Sequence, residues 1–314
     1  MRFKTHFALL LISLFAIAPA LLALAQDQNE EGVRGAFLTS RPTTSVNMGG
    51  GGRRPARRRP PRQRTGGAVE VPKNVSGGVK ANVGNTSASV NASAGTNNSV
   101  SPSPKPTGPL ALGYTLYTRD PNGDAVRVDP SREFRAGDRV RIALETNSDG
   151  YLYVFHTEND GQPEMIYPDQ RLDEGDNFIE AHVPTEIPSS KEQDERFRWF
   201  VFDNRPANER LYIVLTREPL PVVPTGEDLV KYCRASQCPW RPSKSLWDQV
   251  RQLAGARVRV VKEKSYGQAQ TAGERDAATR GLGLVQSAPP PSVIRMNVTS
   301  DTGLLVTSLD LIHK

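Results

Sequence analysis

Between Leu112 and Thr216 apolar and polar residues alternate with a period of two, the pattern of strands with one buried face. Leu112 to Thr118 predicts a strand, and Pro121-Asn122-Gly123-Asp124 turns it back through Ala125 to Val128. Val140, Ile142 and Leu144 face one way in the next strand, while Arg139, Arg141 and Glu145 face the other. Asp149-Gly150 and Asn159-Asp160-Gly161 then bracket Tyr151 to His156 and introduce Glu164 to Tyr167. Further strands are predicted over 177–182, 196–202 and 210–216. About eight short strands separated by turn residues, without helical periodicity, predict an all-β core: an antiparallel immunoglobulin-like β-sandwich over residues 111–220. The segment Tyr151 to Phe155 is apolar or aromatic on both faces, which places it centrally in its sheet.

Past residue 220 the pattern changes, and residues 221–314 predict a small α+β extension. Thr225 precedes an acidic residue at the third position, as does Ser245, and both fit the capping-box spacing. Leu246, Val250 and Leu253 form one stripe of the second helix, with Gly255 as its stop. Arg257 to Lys262 predicts a strand, and 265–291 a flexible connection. Ile294, Met296 and Val298, the turn Asp301-Thr302-Gly303, and Leu305, Leu309 and Leu311 predict a closing hairpin that docks, because an isolated one is marginal.

The N-terminal third differs. Arg2 and Lys4 precede an apolar run from Phe7 to Ala25 ending Ala23-Leu24-Ala25, which predicts a leader over 1–25 cleaved after Ala25, hence an exported protein, periplasmic or extracellular, without a stable transmembrane span. The competing expectation is an uncleaved anchor, since the run nearly spans a bilayer. Residues 26–110 hold one aromatic, Phe37, amid Gly, Pro, Asn, Ser and Arg, a composition that predicts a disordered arm. Val33 to Thr39 is its one candidate strand or docking motif.

The formal net charge of +6 is unevenly spread. Residues 26–110 carry 12 basic against 4 acidic residues, 111–220 carry 13 against 22, and 221–314 carry 13 against 8. Arg53, Arg54, Arg57, Arg58, Arg59, Arg62 and Arg64 form a cluster with two readings: a contact for an envelope polyanion, or a solvated linker that can fold back on the acidic middle. Nucleic acid is not expected as a partner, because no aromatics interleave the arginines and the leader points away from the cytoplasm.

A strand followed by Phe134-x-x-Gly137-Asp138, then Ser148 to His156 with its Asp-Gly-Tyr-Leu-Tyr-Val core, Ile166-Tyr-Pro-Asp169, and Leu211 to Leu220 together resemble the bacterial domain-of-unknown-function family numbered 4384. The resemblance covers roughly residues 112–220. It implies an exported or envelope-associated β-domain, in some members fused to peptidase or kinase modules, and it supplies no catalytic residues.

Chemistry is sparse. No nucleophile elbow, zinc-protease helix, Walker loop or dinucleotide fingerprint occurs, so no cofactor, metal or catalytic residue is expected. The acidic loop of Asp169, Asp173, Glu174, Asp176 and Glu180 lacks calcium-loop spacing and reads as solvated. His156, His182 and His313 read as exposed strand-end residues, and a triad built on any of them has no signature. Cys233 and Cys238 predict a local disulfide worth ~2 kcal/mol at most. Tyr151, Tyr153 and Tyr167 are the candidate ligand face, with core packing as their other reading. The expectation is an exported non-enzymatic binding or scaffold protein of the bacterial envelope. The alternatives are an accessory module of an exported peptidase or signalling enzyme, and a hydrolase of unknown type.

Overall fold

The computed structural model describes residues 30–44, 108–235, 238–256, 258–298 and 303–314. The leader and the arginine cluster Arg53 to Arg64 lie outside the described residues. The elements are a helix over residues 30–39 (α1), β1 (Ala111–Arg119), β2 (Ala125–Val128), β3 (Glu133–Phe134), β4 (Arg139–Thr146), β5 (Gly150–Glu158), β6 (Glu164–Tyr167), β7 (Phe178–Ile179), β8 (Thr185–Ile187), β9 (Phe200–Val201) and β10 (Ala207–Thr216). After them come α2 (Glu227–Ala235), α3 (Lys244–Ala254), β11 (Val258–Lys262), α4 (Ala272–Arg280), β12 (Val293–Asn297) and β13 (Leu304–His313).

Two sheets pack face to face. The first runs β11-β12-β1-β4-β8, with β2 sharing an edge of β1 and β9 an edge of β4. The second runs β3-β13-β10-β5-β6, with β7 on β5. The pairings are antiparallel except that β3 lies parallel to β13. Period-two alternation builds the core between them: Leu112, Tyr114 and Leu116 of β1 and Val140, Ile142 and Leu144 of β4 meet Leu152 and Val154 of β5 and Leu211, Ile213 and Leu215 of β10. The intervening residues of the second sheet, Tyr153, Phe155, Tyr212 and Val214, are apolar as well, and Leu229 of α2 with Trp247 and Val250 of α3 cover them. The central strand β5 is therefore buried on both faces, as its pattern predicts. Gly150 admits no side chain there: a Cβ would sit 2.5 Å from the Thr216 carbonyl of β10.

Several expectations are corrected by longer-range contacts. The folded body does not stop at residue 220. β12 pairs with β1, while β13 pairs with β10 over ten residues, Ala207 to Thr216. The two strands thus enter different sheets and form no hairpin. β1 takes β12 as a neighbour from about 180 residues later in the chain, Ala111 opposite Met296 and Tyr114 opposite Val293, a relation no local pattern encodes. The connection expected to be flexible contains α4, whose Thr271 and Glu274 form a capping box and whose C-cap Gly281 takes the left-handed conformation, φ 65°. The N-cap of α3 is Ser243 rather than Ser245. The strand predicted over 196–202 contains a 3₁₀ turn, Glu195–Phe197, with only Phe200–Val201 paired.

The largest correction lies in the segment read as an arm. Residues 30–39 are helical, not a strand, and the helix packs on the outer face of the first sheet. Val33 and Phe37 are four residues apart, which puts them on one helical face. Both are buried against Ala111, Val261, Ile294 and Met296. Each burial stabilises by roughly 1.5–3 kcal/mol. Gly113 lets the chain approach that closely, since a Cβ there would lie 2.4 Å from Pro291 Cγ and 3.1 Å from Phe37 Cζ.

Candidate functional site

The outer face of the first sheet buries charge. Three arginines and three glutamates pair there. Arg41, just after α1, sends Nε and Nη2 to the two carboxylate oxygens of Glu145 on β4, each at 2.7 Å. Its Nη1 donates to the Ala288 carbonyl at 2.8 Å. Arg127 of β2 pairs with Glu274 of α4, and Glu274 also accepts from the Tyr117 hydroxyl at 3.0 Å and the Thr271 hydroxyl at 2.8 Å. Arg141 of β4 pairs with Glu186 of β8 at 3.3 Å, and Gln270 donates to the other oxygen of Glu186 at 2.6 Å. Burial pulls the Arg141 guanidinium below its ordinary range, against the upward pull of Glu186. Each pair contributes little net stability as a pair, but removing one partner strands a buried charge. Two of the three pairs join the sheet to segments distant in sequence, residue 41 and α4.

His182 sits inside this face, 3 % exposed and in the left-handed backbone region at φ 60°. Its Nδ1 lies 2.8 Å from Glu145 Oε1, and its Nε2 lies 2.9 Å from Ser40 Oγ. Serine, imidazole and carboxylate thus stand in the order of a hydrolytic relay. Their other contacts are those of a structural lock. The Ser40 hydroxyl lies 2.6 Å from the Phe37 carbonyl, and its one proton belongs there. Both oxygens of Glu145 are held in the Arg41 fork, and Phe37 packs edge-on against the His182 ring, 5.5 Å between centroids. The arrangement ties the end of α1 to β4.

A cleft opens on the flank of the sandwich, between β6 with its following loop and the stretch from β8 to β9. It has two compartments sharing Ile166 and Phe200. The larger is a basin of about 340 Å³ walled by Tyr167, Phe197, Trp199 and Trp240 and by Pro168, Pro188 and Pro239, each of which follows a cis peptide. Phe197 is 47 % exposed, with the guanidinium groups of Arg171 and Arg196 at 5.1 and 5.8 Å from its ring. Those arginines are held by Asp169 and Asp194, and the Arg196 contact draws the Asp194 carboxyl down to about 2. The floor rests on Trp199, over which the Arg141 guanidinium stacks at 4.2 Å. Cys233 and Cys238 are disulfide-bonded and form part of one wall. That wall is pinned to β6, where the Met165 N–H donates to the Trp240 carbonyl at 2.8 Å and Arg241 pairs with Glu164. The smaller compartment is a slot of about 230 Å³ with apolar walls and His156, Glu209 and Asp203 at its polar end.

The three tyrosines do not form one face. Tyr153 is fully buried beneath α2 and α3, where its hydroxyl accepts from the Leu220 N–H at 2.9 Å. Tyr151 packs edge-on against Phe178 on that same side. Tyr167 points to the opposite side of the sheet, into the core between the sheets, and of the three it alone lines the basin. The register explains the split, because Tyr167 pairs with Val154, which alternates with Tyr151 and Tyr153 along its strands. Two of the three histidines are buried rather than exposed: His182 and His313, both 3 % exposed. The basin aromatics Phe197, Trp199 and Trp240 escaped the sequence reading. Phe197 and Trp199 keep the period of two of their segment, so they read as strand residues rather than as parts of a cleft.

The fold is that of a two-sheet β-sandwich with a helix-covered face on either side and an aromatic cleft on one flank. A family model, "Domain of unknown function (DUF4384)", matches residues 133–219, so the resemblance carried by Phe134, the Ser148 to His156 segment and Leu211 to Leu220 holds over that stretch. The matched stretch runs from β3 to the loop after β10 and includes most of the basin. The disulfide wall, α1, α4, β12 and β13 lie outside it. No curated protein and no solved structure matches the chain. Among the described residues no helix is long and apolar enough to cross a membrane, and no cluster of three or more His, Cys, Asp or Glu side chains could hold a metal ion.

Proposed function

We propose that this is an exported, envelope-associated binding protein, without catalytic activity, whose basin receives an extended peptide segment of a protein partner. The observation that carries the reading is Phe197, a half-exposed aromatic steadied by two arginines at the entrance to an aromatic and proline-lined cavity. Aromatic and arginine side chains dominate binding hot spots because they bury large areas at low entropic cost. The leader-like first 25 residues and the disulfide support export. Against a hydrolase stand the commitments of Ser40 and Glu145 to the Phe37 carbonyl and the Arg41 fork.

The test is a display selection of random peptides on residues 26–314 with the disulfide intact. Selected peptides are expected to lose about tenfold or more in affinity on Phe197→Ala and on Trp240→Ala, a loss of about 1.4 kcal/mol or more, with the melting temperature unchanged in Phe197→Ala, whose side chain is half-exposed. Peptides whose binding ignores both substitutions would refute the basin as the site. The same reading makes the arginine cluster Arg53 to Arg64 a contact for an envelope polyanion, and deletion of that stretch is expected to abolish salt-sensitive association with anionic polymer.

A further inference from the structure

The second compartment of the cleft differs chemically from the basin. Its walls come from both sheets: Val140 of β4, Leu211 of β10 and Leu311 of β13 are core residues, 2 %, 4 % and 3 % exposed. The slot therefore reaches from the surface to the core between the sheets. At about 230 Å³ it holds about eight water-sized groups at ~30 Å³ each. An apolar cavity with a few convergent polar groups is the usual form of a small-molecule site.

The polar end is acidic. The inner face of the second sheet is apolar along Leu152 and Val154 of β5 and Leu211 and Ile213 of β10, then ends in His156 and Glu158 on β5 and Glu209 on β10. Glu158 and Glu209 are direct partners across the β5–β10 ladder, a placement of like charges that costs stability unless a cation lies between them. Asp203 adds a third carboxylate at the same end. The groups opposing them are Arg205, which is exposed, holds Asp203 at 2.8 Å and also attracts Glu158 and Glu209, His313, which lies close enough to act on Asp203, and His156, whose Nε2 lies 2.5 Å from Glu209 Oε2. Of these groups only Arg205 carries a permanent charge, against three carboxylates. A carboxylate has about four acceptor sites, so these contacts leave Glu209 able to take another donor.

We propose that the slot is a binding site for a small alkylammonium ligand, its hydrocarbon body between Val140, Leu211 and Leu311 and its ammonium group against Glu209 and Glu158. The charge at the mouth selects the head group, and the apolar walls select an unbranched body of about eight heavy atoms. The site is independent of peptide binding in the basin, although Ile166 and Phe200 form a common partition.

Octylammonium, octanol and octanoate, equal in chain length and different in charge, are the probes. Each is titrated into residues 26–314 while the methyl resonances of Val140, Leu211 and Leu311 are followed by NMR. Octylammonium is expected to shift these methyls saturably, to bind at least about tenfold more tightly than octanol, and to weaken with salt. Octanoate is expected not to bind. Glu209→Gln and Glu158→Gln are each expected to weaken octylammonium about fivefold or more, as for loss of a charge-assisted contact, and to leave octanol unchanged. Phe197→Ala, which removes the basin anchor, is expected to change none of this. Equal binding of the three probes, unmoved slot methyls, or octylammonium binding indifferent to both glutamine variants would overturn the proposal, whatever the fate of the basin.

Discussion

Arg41 and Glu145 are 104 residues apart in sequence and meet in a two-pronged ion pair, both prongs 2.7 Å long, with the Arg41 side chain fully out of solvent. A segment whose composition reads as linker is thus fastened into the first sheet by a buried charge. Arg41→Ala is expected to lower stability by ~3–5 kcal/mol, because Glu145 is left charged and buried. Replacing both residues, as in Arg41→Met with Glu145→Leu, is expected to recover most of that loss, since the desolvation cost of both ions disappears. Chemical denaturation of the three variants measures this. Amide exchange across residues 30–39 should accelerate in the single variant more than across β10.

The body of the sandwich was legible between Leu112 and Thr216 because the face each strand turns to the core is apolar at every second residue, and β5, apolar on both faces, marks itself as central. Relations set by distant partners were not legible. Val33 and Phe37 carry a helical spacing, but Gly32 and Gly35 dilute it, and only the presence of Ala111 and Ile294 beneath them makes the helix worth forming. The Thr271-to-Glu274 capping box is a local signal that was present and overlooked, because α4 is short and built largely of small and charged residues. β12 and β13 show alternation and a turn, the ingredients of a hairpin. Their assignment to different sheets follows from the free edges of β1 and β10, which no neighbouring residue reports. The basin depends on segments around residues 167, 197 and 240 converging, so its parts are ordinary aromatics until the chain is folded.

The Ser40, His182 and Glu145 alignment separates a binding protein from a hydrolase. If the serine proton is committed to the Phe37 carbonyl, Ser40 is a poor nucleophile. A fluorophosphonate probe is expected to leave Ser40 unlabelled at neutral pH, as read by peptide mass spectrometry. Ser40→Ala is expected to cost ~1 kcal/mol of stability through loss of hydrogen bonding at the end of α1. Stoichiometric labelling of Ser40, abolished by His182→Ala, would establish the hydrolytic relay instead.

The disulfide acts on the basin more than on the whole fold. It closes a loop of sequence separation 5, so its effect on the unfolded chain is small. The double variant Cys233→Ser with Cys238→Ser is expected to lose at most ~2 kcal/mol of global stability. The wall bearing Pro239 and Trp240, however, loses its covalent tie to α2. Affinity for a basin-selected peptide should fall about tenfold, equivalent to ~1.4 kcal/mol of binding. Paired melting and binding measurements on the oxidised and serine forms test the division.

Three buried tyrosines set the alkaline limit. Burial pushes the phenol of Tyr114 upward, that of Tyr153 upward, and that of Tyr117 further still, with the Glu274 carboxylate beside Tyr117 adding to the effect. Below pH ~10, the ordinary phenol value, folded and unfolded chains both keep these protons, and the stability they support is fully present. Above it the unfolded chain releases them while the folded protein holds them, so unfolding is favoured as pH rises toward the raised folded values. Each tyrosine is expected to remove ~1.4 kcal/mol per pH unit in that window. Denaturation midpoints should therefore hold steady between pH 7 and 9.5 and fall steeply beyond pH 10. Tyr153→Phe loses the hydroxyl that accepts from the Leu220 N–H and should cost ~1 kcal/mol at pH 8. It should also make the alkaline fall shallower by one tyrosine's share. An unchanged slope in that variant would mean that Tyr153 ionises equally in the folded and unfolded chains, and that its burial beneath α2 and α3 does not persist in solution.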